Sequence, residues 1–149
     1  MDTSEPASLI AMAGFNKSLG FRLVDWSETH AVLEVTVRPD LLNRSEILHG
    51  GVVATLIDAA GGFAGGYTGK PGTGRLVLTL SLTTSFIGQT SGGVVRATAR
   101  KRGGGRRIFA STIEVTDETG QIIAVGEGTY RYRDDSAAGQ QNDHGQRAT

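Results

Sequence analysis

One segment of this chain, His49 to about Tyr67, repeats its apolar residues (Val52, Val53, Leu56, Ile57, Ala60, Phe63) near helical spacing and contains no proline. The other ordered stretches repeat with period two. "HAVLEVTVRP" alternates Ala31, Leu33, Val35 and Val37 with Val32, Glu34, Thr36 and Arg38. "RLVLTLSLTTSF" sets Leu76, Leu78, Leu80 and Leu82 on one face and Arg75, Val77, Thr79, Ser81 and Thr83 on the other. "GGVVRATARKR", "RRIFASTIEVTD" and "QIIAVGEGTYRYR" follow, separated by glycine-rich or Asp-Glu-Thr-Gly turns suited to hairpins. The expected fold is therefore α+β, an antiparallel meander of five or six strands curved about one helix of roughly 27 Å, at about 1.5 Å per residue. The 149 residues leave room for one domain. It is expected over 1–133, with a short N-terminal helix or arm in 1–18. The polar tail "DDSAAGQQNDHGQRAT", 134–149, is expected to be disordered.

Composition narrows the function classes. Fifteen Lys and Arg balance fifteen Asp and Glu, so no global field draws the chain to nucleic acid or an anionic membrane. Without cysteine there is no disulfide frame, thiolate chemistry or Cys-based metal site. The N-terminus has no basic residue ahead of an apolar run, and a cytoplasmic location is expected. The apolar segment carries Asp58 and six glycines between Gly50 and Tyr67, too interrupted for a membrane span of about 20 residues. His30 and His144 show no ligand spacing, and neither a metal nor a separate cofactor is expected. The G-x-S-x-G and H-E-x-x-H motifs are absent, and "GGYTGKPG" fails as a phosphate loop.

The helical segment opens "LHGGVVATLIDAAGG". A helix start presents unpaired N–H groups and the positive end of the dipole, so Gly50 and Gly51 are suited to an oxyanion hole. Asp58 can serve as general base on water or as nucleophile, the chemistry of ester or thioester cleavage. Nine helical residues turn through about 900°, which sets His49 and Asp58 on opposite sides of the axis, roughly 13 Å apart. If both act on one bond, the helix start of one subunit must meet Asp58 of a neighbour across a two-fold axis. The residues alone leave a plainer reading open, with His49 as a loop residue or cap and Asp58 on a solvated helix edge. Gly61, Gly62, Gly65 and Gly66 each cost a helix interior about 1 kcal/mol relative to alanine. Either close packing on the sheet, with the last pair ending the helix, or room for substrate beside Asp58 would compensate.

Asn43, then His49-Gly50-Gly51 after five residues, then Asp58 after six more, in an apolar helix followed by antiparallel strands, closely resembles the hotdog-fold acyl-CoA thioesterases. The similarity is to the PaaI-like branch and the related 4-hydroxybenzoyl-CoA thioesterases, over about Leu19 to Arg133. It implies that the Gly50 N–H polarises the thioester carbonyl and that Asp58 of the partner subunit activates water or attacks directly. Asn43 and His49 would hold the loop and the thioester end of the substrate. A hydroxyl on the strand after the helix would orient the water, at Thr79 or else Ser81. The family's proline after that strand's aromatic is missing here, where the chain reads Phe86-Ile87-Gly88-Gln89. "ARKRGGGRRIF" holds five of the fifteen basic residues; it is either a solvated turn or, as the resemblance implies, the grip on the coenzyme A phosphates through Arg106 and Arg107.

The resulting expectation is hydrolysis of an aryl or short- to medium-chain acyl-CoA to free acid and coenzyme A. The enzyme would be a homodimer at minimum, with a homotetramer as its expected assembly. A non-catalytic acyl-CoA or lipid-binding hotdog module and, ranked lower, an acyl-thioester dehydratase or hydratase are the alternatives.

Overall fold

A computed structural model describes residues 7–138, and it folds the helical-period segment as a helix and the alternating segments as strands. In chain order the elements are α1 (Gly14–Ser18), β1 (Arg22–Ser27), β2 (His30–Thr36), a 3-10 turn (Pro39–Leu41), α2 (Gly50–Ala64), β3 (Gly74–Phe86), β4 (Val94–Gly104), β5 (Ile108–Thr116) and β6 (Ile122–Ala138). Neighbouring strands are all antiparallel, in the order β1-β2-β4-β5-β6-β3. One helix on a six-stranded antiparallel sheet is the expected hotdog architecture. No described helix is long and apolar enough to cross a membrane.

Four details differ from the sequence reading. The helix stops at Ala64 rather than near Tyr67, because Gly65 and Gly66 end it. The sheet is not a simple meander: α2 carries the chain across the sheet face, so β3 enters at the far edge and pairs with β6. The alternation of β3 is broken by irregularities between Arg75 and Val77 and between Thr79 and Ser81. An irregularity of this kind shifts the following side chains to the other face. Leu78 thus pairs with Arg131 and Leu82 with Gly128, whose faces are opposite, and the four leucines do not form one stripe. Finally, β6 continues through 134–138, the first residues of the expected tail; the remainder, 139–149, lies outside the described residues.

The core lies between α2 and the sheet. Leu56, Ile57 and Ala60 are fully buried with Leu23, Leu33, Val35, Val95 and Val115. The glycines of the second half of α2 are explained by packing. A Cβ on Gly61 would collide with the Tyr130 hydroxyl and stand 2.8 Å from Tyr130 Cζ. One on Gly65 would run into the Phe109 ring, 2.7 Å from its Cδ2. The two rings stack on each other with centroids 5.2 Å apart, so neither can retreat without moving the other.

Bare backbone also lets the sheet hydrogen-bond the helix directly. Tyr130 Oη donates to the Asp58 carbonyl at 3.1 Å, Ser111 Oγ to Gly61 at 2.9 Å, Trp26 Nε1 to Phe63 at 2.7 Å and Tyr132 Oη to Gly65 at 2.7 Å. The last carbonyls of a helix have no intrahelical partner, and α2 has no basic residue in its last turn to serve them. Side chains from β1, β5 and β6 take that place.

Glycine-to-alanine changes inside a helix ordinarily stabilise by about 1 kcal/mol. Gly61→Ala is expected to reverse that sign and destabilise by about 1–3 kcal/mol through overpacking. Tyr130→Phe in the same chain should recover part of the loss. Urea denaturation of the two single variants and the double variant checks this; a more stable Gly61→Ala would contradict the packing account.

Candidate active site

The two ends of α2 present different chemistry. At the start, His49 is the N-cap, with extended backbone, and its Nδ1 accepts the Gly51 N–H at 2.8 Å. That acceptor role puts the neutral ring's proton on Nε2. The missing side chain of Gly51 makes the fold-back possible, since a Cβ there would stand 2.9 Å from Nδ1. One expectation is thereby corrected: the Gly51 N–H is already taken by the cap and is not available to an oxyanion. The Gly50 N–H has no acceptor among the described residues, and it opens at the positive end of the helix dipole.

Asn43 shares that end of the molecule. Its Oδ1 accepts the N–H groups of Ser45 at 2.9 Å and Ile47 at 3.2 Å, closing a tight loop in which Glu46 takes a positive φ of 60°. Asn43, Ile47, Gly50, Val53, Phe86 and Ile87 line one groove of about 480 Å³. Asn43, His49 and Gly50 are therefore gathered at one place.

Asp58 is elsewhere. Eight residues beyond Gly50, it lies about 12 Å further along the helix axis, half-buried, and it does not line the groove. Its Oδ1 accepts the Thr79 hydroxyl at 2.6 Å. Of the two hydroxyls expected near the acid, the structure thus brings Thr79 to it. Ser81 lies past the β3 irregularity opposite Thr129, whose side chain alternates away from that of Tyr130, so Ser81 does not reach the acid. Thr79 stands directly across from Tyr130, so one ladder row grips the acid's carboxylate through Thr79 and its carbonyl through Tyr130. Burial, reinforced by the charge of Asp58, pushes the Tyr130 phenol well above the usual range and keeps it a donor.

Arg106 and Arg107 lie exposed in the β4–β5 turn, which follows directly on the row Thr79, Tyr130, Phe109 and Gly104. They belong to the Asp58 end of the molecule, not to the Gly50 groove. Nearby, Arg75 stacks 3.5 Å over the Tyr132 ring and Lys101 Nζ donates to its hydroxyl at 3.4 Å. The contributions of Tyr130, Tyr132, Ser111 and Trp26 were not evident in the sequence; their only trace there was the glycine-rich half of α2 that they require.

Removing the cap with His49→Ala is expected to lower stability by about 1 kcal/mol, and His49→Asn, which restores an acceptor, should retain most of it. Chemical denaturation compares them. Equal losses in both variants would show that capping is not what His49 contributes to the fold.

Comparison with known proteins follows the same geometry. A family model described as the thioesterase superfamily matches residues 46–124, which include His49, Gly50, Asp58, Thr79, Arg106 and Arg107. A Mycobacterium tuberculosis protein whose esterase assignment is itself provisional is 29% identical over 123 residues, covering 82% of this chain and 88% of the relative. The acyl-coenzyme A thioesterase PaaI of Escherichia coli is 28% identical over 112 residues, 75% of this chain and 77% of its own. The solved structure of a phenylacetic acid degradation protein PaaI from Thermus thermophilus superposes with a TM-score of 0.68 at 27% identity, covering 78% of this chain and 96% of that one. With the family model spanning more than half of its length and the fold in agreement, the chain belongs to the thioesterase superfamily and is a hotdog-fold member of it.

Proposed function

We propose that this protein is an acyl-CoA thioesterase, hydrolysing aryl or short- to medium-chain acyl-CoA to the free acid and coenzyme A, at sites assembled from two copies of the chain. The observation that carries the proposal is the division of α2: an open Gly50 N–H at its start, and Asp58 held by Thr79 about 12 Å along the axis. Neither end makes a site alone. A two-fold axis that sets the start of one helix against the middle of another brings the two halves together twice.

The edge of the sheet supports such a partner. β3 is a long terminal strand, and Leu78 and Leu80 are each 54% exposed beside its unpaired backbone. An edge strand with exposed apolar side chains is a liability unless another chain covers it. A dimer through this edge is the minimum assembly proposed, with a homotetramer as the next level.

In the assembled site, the thioester oxygen would accept the Gly50 N–H, where the helix dipole favours the charge that develops on it. Asn43 would fix the loop bordering the carbonyl, and the His49 Nε2–H would face the thioester end. Asp58 of the second copy has Oδ1 engaged by Thr79, leaving Oδ2 to act. As base, it takes a proton from water while the water oxygen adds to the carbonyl carbon. Collapse of the adduct then expels the coenzyme A thiolate. As nucleophile, it forms a mixed anhydride with loss of the same thiolate, and water cleaves the anhydride. Both routes end in acid and free thiol. Arg106 and Arg107 would grip the nucleotide phosphates as charge-assisted forks.

A free-thiol assay across aryl-CoA and short- to medium-chain acyl-CoA thioesters tests this. The wild type should release thiol from some of them, and Asp58→Asn should lower kcat by about a thousandfold or more, as loss of an acid-base group typically costs 10²–10⁴. Wild-type inactivity on the whole panel, saturable acyl-CoA binding without thiol release, or full activity in Asp58→Asn would each overturn it.

A further inference from the structure

We propose that the groove beside Gly50 is the acyl pocket and that Phe86 and Ile87 set the bulk of the acyl group it admits; the assignment rests on the thioesterase reading above. A carbonyl oxygen seated on the Gly50 N–H leaves the acyl α-carbon and the thioester sulfur each two bonds away, so one of the two arms enters the space bordering Gly50 and the lining of that space decides which. Phe86 occupies the border of that space. Its Cε1 and Cζ lie 3.6 Å from where a Cβ on Gly50 would stand. The rest of the lining sets aliphatic Ile47, Leu48, Val53, Ile87 and Ile123 beside the uncharged polar side chains of Asn43, Gln89 and Thr90. An acyl chain, not a phosphate or a charged arm, matches that surface.

Both wall residues face outward unsatisfied by their own chain, Phe86 at 54% and Ile87 at 64% exposure. Their backbone is nevertheless tied down. The N–H groups of Ile87 and Gly88 both donate to the Ile123 carbonyl, at 2.9 and 3.0 Å. Gly88 fits because a Cβ there would stand only 3.1 Å from Ile123 Cα. These main-chain bonds clamp the wall to β6, and a wall held in this way discriminates by shape instead of yielding to each guest. The ligand class that fits is a compact apolar acyl group lying against the Phe86 ring.

The test compares kcat/KM for a series from acetyl-CoA to dodecanoyl-CoA, with branched members, in the wild type, Phe86→Ala and Ile87→Ala. Thermal denaturation establishes that each variant is folded, and Ile87→Ala carries the test if Phe86→Ala is not. The ratio of long or branched to short substrates should rise at least tenfold in the variants, the scale on which a hydrophobic pocket reads added methylenes. A parallel change across the series would overturn the assignment. The same series as non-hydrolysable analogues, with methylene in place of the thioester sulfur, is titrated by calorimetry. If no thioester is cleaved, the hydrolytic reading fails by itself, and a variant-dependent shift in affinity along the analogues still supports the pocket. Unshifted analogue affinities would overturn it.

Discussion

The seat of α2 on the sheet is the constraint on which the remaining structure depends. Tyr130 and Phe109 stack beneath a helix whose Gly61 and Gly65 have no side chains to hold them off. That close approach brings four sheet side chains within hydrogen-bond reach of helix carbonyls, from Asp58 to Gly65. Each glycine would destabilise an isolated helix by about 1 kcal/mol. Burial of the aromatic faces and satisfaction of the terminal carbonyls offset this cost, and the helix is fixed in position as well as in direction.

Fixation matters because the acid belongs to the fixed half. Tyr130 grips the Asp58 main chain, and Thr79, its cross-strand neighbour, grips the carboxylate. The opposite end of the helix is organised by short-range contacts of its own: the His49 cap and the Asn43 loop. They leave one N–H, that of Gly50, open beside a groove without charged side chains. A single rigid helix therefore carries a donor suited to an oxyanion at one end and an oriented carboxylate further along, too far apart to serve one bond within one chain.

Much of this was legible in the sequence. The 3.6-residue period over 50–64 and the two-residue period elsewhere reported one helix and a sheet, because burial on one face imposes those periods directly. The spacing of His49 and Asp58 reported that the two lie well apart along α2, because helix geometry is fixed. Thr79 could be chosen ahead of Ser81 by counting, though only the irregularity in β3 explains why Ser81 turns away. Such an irregularity has no period and leaves no signature in "RLVLTLSLTTSF". Strand order was hidden for a related reason: β3 pairs with β6, nearly the whole remaining chain away, and local pattern does not encode the partner. The Gly51 N–H was misjudged because a cap bond depends on a side-chain rotamer, not on residue type alone. The glycines of α2 announced close contact without naming what makes it.

The central claim is that each active site takes Gly50 from one copy and Asp58 from another, and mixing two inactive variants tests it most directly. Gly50→Pro removes the N–H while suiting the first helical position, and Asp58→Asn removes the base. Co-refolded in equal amounts, they should form mixed dimers with one intact site in two, regaining about a quarter of wild-type thioesterase activity if subunits pair at random. Two active wild-type-like parents, or a mixture no more active than its inactive parents despite demonstrated mixed dimers, would contradict the account.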